Sequence, residues 1–227
     1  MLNGIIFDKD GTLFDFEATW GTWIGEVLQE LGAGDPAMIG ALADVLGYDL
    51  GNQRFFPSSS VIAGTVEEQA KAVAETLDRD VQDLTAELNF MAAAVKQVEV
   101  TPLKPLLADL RARGLKLGVA TNDAESSALS HLGSVGLTDA FDFIAGYDSG
   151  FGGKPAPGQL VAFAKAMGLA PDTVAMVGDS THDLHAARAA GMKAVGVLTG
   201  PADEAVLAPH ADIVLPSIAD LPRWIAT

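Results

Sequence analysis

The chain has 227 residues, 49% of them hydrophobic and 19% charged, enough apolar material to bury a real core and too much for a disordered chain. Thirty acidic residues against 14 basic ones leave a formal net charge of −16, so the surface repels nucleic acid and anionic lipid; an anionic substrate fits only if the site brings its own positive charge. There are no cysteines, which excludes disulfides, thiol nucleophiles and Cys-ligated zinc and fits a cytoplasmic protein.

Taken in order, the apolar run from Leu2 to Phe7 reads as a buried strand. It has no basic residue ahead of it and meets Asp8 at once, unlike a signal peptide, and no apolar stretch is long enough to span a membrane. From about Phe16 to Leu31, Trp20, Ile24, Leu28 and Leu31 recur on one helical face, and Gly32 and Gly34 end the helix. A second helix is expected from Pro36 to Leu46, closed by Gly47. Residues 48–64 read as irregular. Thr65-Val66-Glu67-Glu68 has the form of a capping box and opens a third helix through Leu77; a fourth starts near Asp80 with Val81, Leu84, Leu88, Met91 and Val95 inward. Residues 16–98 therefore read as helical, with no convincing strand.

After Pro102 the pattern changes. A helix through Leu110 stops at Gly114, and strands are expected at Leu115–Thr121, Phe141–Tyr147, Val174–Val177, Ala194–Leu198 and Ile213–Leu215. Helices alternate with them, through Leu132 to Gly136, through Met167 to Gly168, and from about His182 to Ala190. This alternation argues for an α/β fold, a doubly wound, Rossmann-like parallel sheet. The expected division is a core from residues 1–15 and 101–227, with a helical domain of residues 16–100 inserted after the first strand.

Four polar clusters fall at or beyond the carboxyl ends of the expected strands: Asp8-Lys9-Asp10-Gly11-Thr12, Thr121-Asn122, Lys154-Pro155, and Gly178-Asp179-Ser180 with Asp183. In a parallel sheet those ends share one edge, so the clusters converge. Three crowded acids, Asp8, Asp10 and Asp179, repel each other unless a hard cation sits among them, and oxygen ligands of this kind suit Mg²⁺. Lys154 supplies a positive charge and Thr121 a hydroxyl, while the loop at Gly11 and the turn at Asn122 supply backbone N–H donors. Such a set can hold and attack a phosphoryl group. Asp8 is ionised at neutral pH and needs no base to act as nucleophile; Asp10 can protonate a leaving alkoxide and then take a proton from water.

These four motifs, in this order and at this spacing, resemble the phosphatase branch of the haloacid dehalogenase superfamily, and among its members the phosphoglycolate phosphatases. The likeness covers nearly the whole chain, including a small helical cap after the first motif. It implies Asp8 as the phospho-aspartate and Asp10 as the general acid/base. It implies Thr121 and Lys154 on the phosphoryl group. For Mg²⁺ it implies Asp8, the Asp10 backbone carbonyl and Asp179, with Asp183 holding Lys154 or a metal-bound water. One position departs from that branch, which often carries a small hydroxyl residue where this chain has Phe16. The substrate implied is a small phosphorylated metabolite, phosphoglycolate foremost. A sugar phosphomutase and a non-catalytic binding protein on the same fold are the alternatives, while Asp10 argues against dehalogenase chemistry. The cap is expected to close over the site by hinging near Asp15 and Thr101.

Other residues have plainer readings. His182 and His185 lack a third soft ligand and read as structural. Trp20 fits the apolar stripe of its helix, whereas Trp23 falls off it and is the candidate for a surface contact with substrate. Arg54 can present a planar fork to a substrate carboxylate, against the plainer reading of a surface arginine.

Overall fold

A computed structural model describes residues 2–226 of the chain. Strand β1 (Gly4–Phe7) is followed by helices α1 (Phe16–Leu31) and α2 (Pro36–Leu46), a hairpin of β2 (Tyr48–Asp49) and β3 (Arg54–Phe55), and helices α3 (Ser60–Ala63), α4 (Val66–Leu77) and α5 (Val81–Ala93). Then come α6 (Leu103–Ala112), β4 (Lys116–Ala120), α7 (Glu125–Ser134), β5 (Phe143–Ala145), α8 (Gly158–Met167), β6 (Val174–Gly178), α9 (Thr181–Ala189), β7 (Lys193–Val197), α10 (Glu204–Leu207), β8 (Ile213–Leu215) and α11 (Leu221–Ile225). Six strands form one parallel sheet in the order β5-β4-β1-β6-β7-β8. This is the expected doubly wound architecture.

Alternation along the strands divides the sheet's two faces. Ile5, Phe7, Leu117, Val119, Ala175 and Val177 pack with Leu103, Leu107 and Leu110 of α6 and Leu221 of α11. Ile6, Ala120, Val174 and Met176 pack with Leu160 and Phe163 of α8, Leu184 of α9 and Leu207 of α10. Both faces are covered, which is why the strands are apolar throughout. A third apolar cluster is drawn entirely from residues 16–95, so the helical insert has a core of its own.

Two expectations about the insert are corrected. Residues 48–64 are not wholly irregular: Tyr48 and Asp49 pair antiparallel with Phe55 and Arg54, and α3 follows. Two-residue strands are too short to show a period of two. Trp23 is not on the surface but buried at 2% exposure. The buried side of α1 carries two ridges, Phe16, Trp20, Ile24 and Leu28 on one and Thr19, Trp23, Val27 and Leu31 on the other, the wide stripe of a helix packed into a core. Among the described residues no helix is long and apolar enough to cross a membrane.

Candidate active site

The chain leaves β1, builds β4 and β5 on one side, then crosses β1 to build β6, β7 and β8 on the other. The switch point of such a sheet leaves a crevice at the carboxyl ends of its strands. Asp8 and Asp10 follow β1, Thr121, Asn122 and Asp123 follow β4, and Asp179 and Ser180 follow β6; with Lys154 they line one cavity.

Lys154 is the electrostatic centre. Its buried Nζ donates to Asp8 Oδ1 at 2.6 Å and to Asp183 Oδ1 at 2.7 Å. Asp183 Oδ2 accepts from the Ser180 backbone N–H at 3.0 Å and Oγ at 2.7 Å, so this acid starts α9 and holds the lysine at once. Burial pulls the Lys154 ammonium down, but Asp183 and Asp8 outweigh it and leave it above its ordinary value. Burial pushes the Asp8 carboxyl up to about 7, with Lys154 opposing the rise and Asp183 and Asp10 adding to it, so the full ionisation at neutral pH expected from the sequence is corrected to a partial one while no cation is bound. Burial also raises Asp179 well above the carboxylate range, reinforced by Asp8 and Asp183.

One oxygen each from Asp8, Asp179 and Asp183 lies within 4.8 Å of the others. Three buried carboxylates so close, with one lysine among them and two of them raised by burial first and by neighbouring acids second, are short of positive charge. A hard divalent cation on all-oxygen ligands fits that deficit.

Asp10's carboxylate stands apart from this group. Lys9 Nζ lies 2.7 Å from its Oδ1 and 2.6 Å from its Oδ2. The same ammonium, fully buried, meets Asp123 Oδ2 at 3.0 Å and His131 Nδ1 at 3.1 Å and lies 5.4 Å from the centre of the Trp20 ring. Burial lowers it, and Asp10 and Asp123 more than restore it. Burial lifts the Asp123 carboxyl to about 6 against the pull of Lys9. Sequence reasoning missed Asp123, His131 and the role of Lys9. The one available signal was Lys9 itself, an ammonium two residues after a strand that is buried throughout.

The other expected residues are placed as follows. Thr121 is buried, and its Oγ1 accepts from the Asp123 N–H at 3.1 Å. Asn122 ties the loops together: its Oδ1 accepts from the Lys154 N–H at 2.8 Å, and its Nδ2 donates to Lys154 O at 2.9 Å and to Ala63 O of the insert at 2.8 Å. Gly11 is corrected as a phosphate donor, because its N–H donates to Phe14 O at 2.7 Å. Its φ of +76° demands glycine, and a Cβ there would stand 2.4 Å from Asp179 Oδ2. Glycine at this position makes room for the acid. Arg54 is exposed on β3 and does not line the cavity, whereas Trp23 does. His182 Nδ1 donates to Ala63 O at 3.1 Å, and His185 pairs with His210 at 3.2 Å, so the two are not joint ligands.

A family model for haloacid dehalogenase-like hydrolases matches residues 2–191. The chain belongs to that family. A curated phosphoglycolate phosphatase of Yersinia pestis is 34% identical over 229 residues, spanning 97% of this chain and 91% of the relative. Among solved structures, a phosphatase of the same family from Thermococcus onnurineus superposes with a TM-score of 0.69 at 23% identity, covering 99% of this chain and 98% of the other. A β-phosphoglucomutase from Clostridium difficile superposes with a TM-score of 0.67 at 19% identity, each chain fully covered. At such identities the two structures speak for the fold alone. The enzyme class expected from the motifs, a hydrolase of the phosphatase kind, agrees with the family and its curated relatives.

Proposed function

We propose that this hydrolase is a Mg²⁺-dependent phosphatase of small phosphate monoesters that works through an aspartyl-phosphate on Asp8. The observation that carries the reading is the convergence of Asp8, Lys154, Asp179 and Asp183 at one sheet edge, with Asp10 beside them. An Asp8 carboxylate oxygen attacks phosphorus, the bond to the alcohol oxygen breaks, and the departing alkoxide takes a proton from the Asp10 carboxyl. The Asp10 carboxylate then takes a proton from water as the water oxygen attacks phosphorus; the Asp8 ester bond breaks and phosphate leaves. Lys9, gripping both oxygens of Asp10, fixes its direction. Lys154 and Thr121 hold the phosphoryl oxygens.

Asp8, Asp179, the Asp10 carbonyl and, through water, Asp183 would hold Mg²⁺. When bound, the ion offsets the repulsion between the acids and the phosphoryl oxygens. The helical insert serves as a cap that excludes bulk water. The names of the curated relatives make phosphoglycolate a candidate substrate.

The test is phosphate release from a panel of small esters, with Mg²⁺ and with chelator. Asp8→Asn should lower turnover by about 10³-fold or more in a folded protein. Undiminished turnover by folded Asp8→Asn, or release indifferent to chelator, would overturn the proposal.

A further inference from the structure

The cavity has two unlike ends. Its sheet end carries every charged carboxylate and ammonium that lines it: Asp8, Asp10, Asp123, Asp179 and Lys154. Its insert end is walled by apolar and aromatic side chains, Phe16, Trp20, Val61 and Val66 among them, with no cation. Arg54, weighed above as a fork for a substrate carboxylate against the plainer reading of a surface arginine, lies outside the cavity.

Within that apolar wall, two buried polar atoms stand without a hydrogen-bond partner among the described residues. Gln69, on α4 and only 5% exposed, has Oε1 unpaired, and Trp23, 2% exposed, has Nε1 unpaired. Both residues line the cavity. Buried polar groups are rarely left unpaired, because desolvation without a partner is costly. An amide offers both an acceptor and a donor, and a hydroxyl answers both. A carboxylate answers only the donor. It would also add negative charge to a cavity whose one lining ammonium among the described residues is already shared by Asp8 and Asp183. The cavity holds about 540 Å³ with its open mouth included, towards the small end for ligand pockets, which suits a short alcohol part.

We infer that the cavity selects phosphate monoesters whose alcohol part is short, uncharged and hydroxyl-bearing, with Gln69 reading the hydroxyl. The inference rests on the phosphatase reading and refines its substrate away from a carboxylate-bearing ester such as phosphoglycolate. Gln69 determines specificity through its contact with the far end of the substrate, away from the reacting atoms.

Three esters isolate the point: 2-hydroxyethyl phosphate, ethyl phosphate and 2-phosphoglycolate. They share the CH₂–O–P linkage and differ at the distal group. With Mg²⁺, the wild-type protein should show kcat/KM about tenfold or more higher for the hydroxyethyl ester than for either of the others, the size expected for one buried hydrogen bond or one uncompensated charge. In Gln69→Leu, which preserves volume, the hydroxyethyl-to-ethyl ratio should fall to within about twofold, the loss expected when the hydrogen-bonding partner is removed. Phosphoglycolate leading the wild-type panel, or equal turnover of the hydroxyethyl and ethyl esters, overturns the inference and leaves the phosphatase reading standing. Release from none of a wider panel of esters overturns both. The wild-type ranking decides the matter even if Gln69→Leu does not fold.

Discussion

A lysine with no exposure to solvent has to be surrounded by its own solvent shell, and Lys9 has one. Asp10, Asp123 and the ring nitrogen of His131 take its protons, and the Trp20 ring lies near its ammonium. For His131 this dictates the protonation state. Its Nε2 donates to Ala92 O at 2.7 Å, so Nδ1 is the lone pair that accepts from Lys9. Burial and the neighbouring Lys9 charge push the imidazole down from 6.5 to about 4. Between those values the unfolded chain binds a proton that the folded one refuses, so stability rises with pH across the window and is lost as pH falls from about 6.5 towards 4. At about pH 5 this single group should cost about 2 kcal/mol relative to about pH 7.5. Urea unfolding of wild type and His131→Gln at the two pH values tests it: the variant should show a pH dependence smaller by that amount, and equal dependences would mean that His131 is not held neutral. The cluster also marks where reading the sequence stops. Asp8, Asp10, Lys154 and Asp179 were legible because strand ends of a parallel sheet share an edge, whatever the side-chain detail. Asp123 and His131 were not, because an acid after Asn122 and a histidine on the stripe of a helix look like a turn residue and a core residue until the fold brings Lys9 between them.

At the scale of elements, helix ends are written in local chemistry and were legible for that reason. Pro36 opens α2 and Gly47 closes it in the left-handed region, as expected; the cap of α1 by Asp15, which accepts from the Ala18 N–H at 2.8 Å, was not read from the sequence. The box at α4 is formed on both sides, Thr65 Oγ1 accepting from Glu68 N–H at 3.2 Å and Glu68 Oε2 from Thr65 N–H at 2.8 Å. Helix α4 brings Val66 and Gln69 to the cavity, so this cap positions part of the site as well as starting a helix. Thr65→Ala should lower stability by about 1 kcal/mol in urea unfolding, and Thr65→Ser should recover most of it, because the hydroxyl and not the methyl makes the bond. An alanine variant as stable as wild type would show that the box contributes nothing. What stayed illegible were elements too short for a period to declare itself: the β2–β3 hairpin, and helices α3 and α10 at four residues each. Arg54 takes its plainer reading, a surface arginine on β3, and only its fork to a substrate carboxylate fails, since nothing in a loop-like sequence tells which side of a two-residue strand faces the cavity.

Across the whole molecule, the insert is bolted to the sheet by its backbone carbonyls. Ala63 O accepts from Asn122 Nδ2 and His182 Nδ1, Ala92 O from His131 Nε2, and Ala93 O from Ser130 Oγ at 2.8 Å. With these bonds made, the insert forms one wall of the cavity above Asp8, which is only 8% exposed, so lifting the insert would widen the way to it. The chain passes between the two parts twice, and the passages run side by side: Asp15 N–H donates to Val98 O at 2.8 Å, Val100 N–H to Leu13 O at 3.1 Å, and Phe14 bridges Glu99 antiparallel. A paired linker of this kind is expected to bend as one hinge, with α1 and α6 on either side keeping their own helical bonds. Opening breaks the two bonds to Ala63 O, and a ligand that holds the insert down must slow that opening. Hydrogen exchange of the wild-type protein, alone and with Mg²⁺ and beryllium fluoride as a phosphoryl mimic, measures the difference. Exchange should slow at Ala63–Thr65 and along both passages, residues 14–15 and 98–101, and stay unchanged in β1 and β6, which are buried in either state. His182→Ala, which removes one of the two bonds to Ala63 O, should exchange faster at Ala63–Thr65 without ligand. Exchange that ignores the mimic at both places would mean that the insert is a fixed wall, and that substrate enters by another route.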